Sequence, residues 1–138
     1  MRHPIVQLLI WLVVAAAVLG PEVWLEAHAV PGGTWTDTWN SLWSMHFAHQ
    51  SVASGQLPWW TDALNYPDGG SVLLPDALGS LFAVAAVPVL GLSGAYTAWV
   101  TLQLALGGWA MQGFSQEWLS ETLDEAAARR AAWVAGLA

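Results

Sequence analysis

The sequence predicts an all-α fold built into a membrane: two transmembrane helices, with interfacial helices in a long first extracytoplasmic loop, forming a fragment of a larger polytopic protein. Three observations lead there. Hydrophobic residues make up 56% of the 138-residue chain and charged residues 9%, a balance far from that of soluble domains. Residues 77–116 contain no charged side chain, enough for about 60 Å of helix, twice the hydrocarbon thickness of a bilayer. Eleven tryptophans are present, and indole favours the boundary where one end of the ring is apolar and the other wet.

The chain opens with the basic residue Arg2, and an apolar run then extends from Pro4 to Gly20. Residues 5–25 are long enough for a first span if Glu22 and Trp24 lie at the far interface. A cleaved secretory signal is the competing reading, with residues 6–19 as its apolar core and Ala27-His28-Ala29 as its cleavage site. Pro31-Gly32-Gly33 marks a loop. Over residues 36–52, Trp39, Leu42, Trp43, His46 and Phe47 recur at three- and four-residue spacings, predicting an amphipathic helix on the membrane surface. Gly55 and Pro58 end it, and Trp59-Trp60 reads as an interfacial anchor. Asn65-Tyr66-Pro67-Asp68-Gly69-Gly70 has the residues of a tight turn, a preset φ followed by a positive one.

The uncharged run must be divided, and Pro88 with Gly91-Leu92-Ser93-Gly94 divides it into an apolar helix at 77–90 and a second span at 95–114. Arg2, Arg129 and Arg130 are the only basic residues, and cytoplasmic flanks collect such residues. Both basic ends fall on the cytoplasmic side if 5–25 and 95–114 cross while 77–90 is interfacial or re-entrant, which leaves the loop 26–94 outside. Residues 115–130 read as a helical cytoplasmic link in which Glu125 precedes Arg129 by four residues, the favourable order for an ion pair. Residues 131–138 read as the start of a third apolar segment, the mark of a truncated reading frame.

Several function classes drop out. Without cysteine there is no disulfide framework and no thiol nucleophile. A net charge of −7, with no lysine, argues against a nucleic-acid partner. No glycine-rich phosphate loop and no nucleophile elbow occurs.

Asp37 is the candidate catalytic group. It follows the first span closely, is flanked by Trp35 and Trp39, and lies where a carboxylate can act as general base at the interface; by itself, capping of the next helix is the commoner role for such a residue. Asp62, Asp76, His46, Trp59 and Trp60 share the loop and are the candidate substrate-binding residues. Asp76 serves equally well as a helix cap, and Asp68 belongs to the turn. His46 and His49 lie three apart and can share a metal with a carboxylate, although histidines so placed are more often simply hydrogen-bonded. The expectation is therefore no metal and no cofactor.

The layout resembles the N-terminal portion of the polytopic C-superfold glycosyltransferases, which use polyprenyl- or dolichyl-phosphate sugars. The shared parts are a basic start, one span, a long outer loop with an early aspartate, two loop helices, a second span and an Arg-containing link. Gly55-Gln56-Leu57-Pro58-Trp59, Leu64 to Ser71 through Asn65-Tyr66-Pro67-Asp68-Gly69-Gly70, and Ala128-Arg129-Arg130 are similar to stretches of bacterial members. The resemblance implies transfer of a sugar from a lipid-phosphate carrier to an acceptor on the outer side of the bacterial cytoplasmic membrane, with Asp37 as base on the acceptor hydroxyl. The chain departs from the family at Thr38, which stands where some members have a second acid, and in having far fewer spans. The alternative is a small non-enzymatic membrane protein whose Trp-rich loop binds lipid or a partner protein.

Overall fold

The computed structural model describes residues 3–26, 28–32, 37–64, 67–71 and 76–137. Arg2, Ala27, Gly33, Trp35, Thr36, Asn65 and Tyr66, used in the reading above, lie outside them. The described residues form five helices and one short strand pair. These are α1 (Pro4–Leu19), α2 (Glu22–Leu25), α3 (Asp37–Ala53), β1 (Trp60–Thr61), β2 (Gly70–Ser71), α4 (Ala77–Leu119) and α5 (Glu125–Ala135). The fold is mostly helical, as expected, with a two-residue antiparallel ladder added: Trp60 pairs with Ser71 and Thr61 with Gly70. This ladder closes the predicted turn, in which Gly69 takes a φ of 72°.

Two compact units divide the chain, Met1–Pro21 with Val100–Ala138, and Glu22–Trp99. In the first, α1 is shorter than expected. Pro4 starts it, where a missing N–H costs nothing. Gly20, at φ 85° and ψ 157°, ends it in a backbone region open essentially to glycine alone, and Pro21 follows. The expected run to residue 25 is thus broken, and α1 measures about 24 Å against roughly 30 Å of hydrocarbon.

Trp11 organises this unit. Its ring is buried, stacks on Trp133 of α5 with centroids 5.3 Å apart, and donates from Nε1 to Gln112 Oε1 of α4 at 2.7 Å. The ring fits because its neighbours are small: Ala15 and Ala105 are buried with it, and a Cβ on Gly108 would come within 2.6 Å of it. An apolar cavity of about 350 Å³ opens beside it, walled by Val14, Val18, Leu104, Met111 and Leu137. Asp124 caps α5, accepting from the N–H groups of Ala126 and Ala127, and Glu125 pairs with Arg129 as the spacing predicts. The cap and the turn before it divide the expected link: α4 runs on to Leu119, and α5 continues past residue 131 without a new start.

In the second unit α4 begins and then reverses. Gly91, at φ 69° and ψ 173°, is the one non-helical residue inside it, so a first limb at 77–90 gives way to a second beginning at 92. The first limb has the expected bounds. Pro88 is carried within it, and the break comes three residues later, where glycine allows it. Across the bend Phe82 lies 5.4 Å from Trp99, and Asp76 is bonded to Trp99. Ser80, Ala83, Ala95 and Thr97 are buried, so small side chains let the limbs approach. Among the described residues α4 is the one helix long and apolar enough to cross a membrane, with a mean hydropathy of 1.9 over its best stretch.

Candidate functional site

Helix α3 presents two different sides. Its buried side is Thr38, Leu42, Met45 and Ala48, at helical spacing, with Ser44 and Ser51 beside them. Trp39, Trp43 and His46 are exposed. The aromatic stripe seen in the sequence is therefore not the packing face. Small and flexible side chains fill the core there, and the indoles are left to line a cavity.

That cavity, of about 380 Å³, lies in the second unit and falls within the size range of small-molecule sites. Its walls are His28 and Val30 from the connection before α3, Trp39, Leu42, Trp43 and His46 from α3, and Leu92 and Ser93 from the bend in α4. Trp43 is braced by Phe47, their rings 5.3 Å apart and nearly parallel. Among the described residues the side chains of His28, His46 and Ser93 make no hydrogen bond to protein.

The candidate acids separate clearly. Asp37 is in the first turn of α3, where a negative charge suits the helix dipole. It is exposed and has no hydrogen bond or ion pair among the described residues. About two and a half turns of helix separate it from His46, so the two lie on opposite sides of α3. Asp76 is fully engaged. Its Oδ1 accepts from the N–H of Gly79 at 2.8 Å, capping α4, and its Oδ2 accepts from the indole of Trp99. Gly79 is required here, because a Cβ would strike both the Asp76 carboxylate and the Trp99 indole.

Asp62 and Trp60 are brought together at the hairpin. Trp60 Nε1 and Asp62 Oδ1 lie 2.8 and 3.1 Å from where a Gly69 Cβ would be. Trp59 is 64% exposed and Trp60 54%. His49 is half-buried, and no cluster of three metal-ligating side chains occurs among the described residues. The six sequence candidates thus fall into five places: His46 at the cavity, Trp60 with Asp62 at the hairpin, Asp76 at the foot of α4, and Asp37 and Trp59 each in the open.

His28, Ser93 and Trp99 were not singled out as site residues. His28 is read as part of an Ala-His-Ala cleavage pattern, and Ser93 as part of a turn. Only the folding back of α4 brings the latter to α3. No protein-family model, curated protein or solved structure matches this chain.

Proposed function

We propose that the chain is the N-terminal part of a membrane glycosyltransferase that moves a sugar from a lipid-phosphate carrier to an acceptor hydroxyl on the outer side of the bacterial cytoplasmic membrane. Asp37 is its base. The observation that supports this assignment is the state of that carboxylate, exposed and unbonded among the described residues, whereas Asp76 is committed to a cap and an indole. In the step, an Asp37 oxygen takes the acceptor hydroxyl proton and the hydroxyl oxygen bonds to the anomeric carbon. The bond from that carbon to the carrier phosphate oxygen breaks, and its electron pair leaves with the lipid phosphate. The leaving group is already good, so a base and a positioning surface are the main needs. Exposed Trp59 and Trp60, and the apolar α1 and α4, fit a bilayer edge where such a donor is presented.

Asp37→Asn in the full-length protein tests this. The expected result is loss of sugar transfer of 10²-fold or more, the usual scale for a general base, with membrane insertion unchanged. Unchanged transfer removes Asp37 from the chemistry. The second reading, a non-enzymatic protein whose loop binds a ligand, is favoured by one observation: the cavity lies on the other side of α3 from Asp37.

A further inference from the structure

The cavity between α3 and the bend of α4 has its own chemistry, apart from Asp37. Its rings are two indoles, Trp39 and Trp43, and two imidazoles, His28 and His46. The stretch from Glu22 to Trp99 that forms it carries Glu22, Glu26, Asp37, Asp62, Asp68 and Asp76 and not one Lys or Arg. Glu26 lies two residues from the lining residue His28. An anionic ligand has no cation to meet it here. A hydrated cation such as ammonium would lose water to walls that are largely apolar, with Val30, Leu42 and Leu92 among them.

A cation that is bulky, weakly hydrated and apolar at its surface suits both the rings and the field. Indole faces attract such ions through the ring quadrupole, and aromatic enclosures are the common way of holding quaternary ammonium. We propose that this cavity binds a quaternary ammonium group, borne either by a small solute such as choline or by a choline-type lipid headgroup. The site goes beyond the glycosyltransferase reading and does not depend on it.

The test uses the full chain in dodecyl maltoside micelles at pH 8, titrated with choline, with its neutral isostere 3,3-dimethylbutan-1-ol and with inorganic phosphate, followed by tryptophan emission and saturation-transfer NMR. Choline is expected to bind roughly fivefold or more tightly than the isostere, the ratio given by about 1 kcal/mol of cation–π attraction, and phosphate not at all. Trp39→Leu keeps the wall apolar and touches no core, since Trp39 is 59% exposed. It should remove the preference for choline while leaving the isostere within about twofold; His46→Leu gives a second variant independent of Trp39.

In nanodiscs, suppression of choline binding by phosphatidylcholine but not phosphatidylglycerol identifies the headgroup as the natural source, and equal binding in both identifies the solute. Equal affinity for choline and its isostere, binding of phosphate, or a Trp39→Leu chain that retains the preference overturns the proposal. Because Asp37 is untouched throughout, failure here is separate from failure of the proposed catalysis.

Discussion

Two glycines in the second limb of α4, Gly108 buried and Gly113 exposed, should respond to alanine in opposite directions. Alanine gains about 1 kcal/mol over glycine in a helix interior. At Gly113 nothing lies within 4 Å of the added Cβ, so Gly113→Ala should realise much of that gain. At Gly108 the Cβ lands 2.6, 2.8 and 3.0 Å from three atoms of the Trp11 ring, where carbon atoms want roughly 3.5–4.0 Å. Shifting the ring into the cavity beside it would break its other contacts. Its Nε1 is tied to Gln112, one face is covered by Trp133, and its far edge is closed by Gly136. Overpacking of this kind costs about 1–3 kcal/mol, and a pinned ring puts it in the upper part of that range. After the helical gain, Gly108→Ala should lose about 1–2 kcal/mol, and the two variants should differ by about 2–3 kcal/mol. Unfolding by sodium dodecyl sulfate from maltoside micelles, followed by far-ultraviolet circular dichroism and tryptophan emission, measures the difference. A Gly108→Ala chain as stable as the parent refutes the cradle around Trp11.

The other expectations concern α4, with Asp37 of α3 as a contrast. Asp76→Ala removes a cap, worth about 1–2 kcal/mol, and strands the Trp99 N–H, so it should destabilise by about 2 kcal/mol or more and change the near-ultraviolet dichroism; Asp37→Asn, at an exposed site, should stay within about 0.5 kcal/mol. Gly91→Ala and Gly91→Asn should each cost about 1–3 kcal/mol in the same unfolding assay, since the space around Gly91 is open and the penalty comes from the backbone region alone. Equal stability of either with the parent removes the bend as a fixed feature.

The local features of this fold could be read from the sequence because they are written in single residues. Gly91 is a visible stop, the 77–90 limb has its expected bounds, and α3 lies within a residue of the expected 36–52, whereas the reading of a span over 5–25 runs through the stop at Gly20-Pro21. Faces were harder. Trp39 and Trp43 dominate any hydrophobicity count on α3, yet the core side is Thr38, Leu42, Met45 and Ala48, because small side chains and a flexible methionine fill an irregular contact more closely than rigid indoles. Long-range pairs left no mark at all. Trp11 and Gln112 are 101 residues apart, and neither a lone tryptophan in an apolar run nor a lone glutamine in another announces a partner. The cavity likewise depends on Ser93 and His28, which carry ordinary turn and linker signals.

If α4 enters a bilayer, the reversal at Gly91 restricts how it does so. The first limb is about 21 Å long, too short to cross roughly 30 Å of hydrocarbon, while residues 92–119 make about 42 Å of helix. The bond from Trp99 to Asp76 and the contact of Phe82 with Trp99 hold the short limb along the start of the long one. If the long limb crosses, the short one enters the same apolar layer beside it. A re-entrant course satisfies these contacts, and a flat course along the surface breaks them. Asp76 then sits at the foot of a re-entrant helix, where an unpaired carboxylate costs several kcal/mol. The N–H of Gly79 and the indole of Trp99 supply the hydrogen bonds that such a position demands. Using Asp76 as a base would break the cap that starts the limb. Among the described residues Asp37 makes no such bond, which fits the proposal that it is the base.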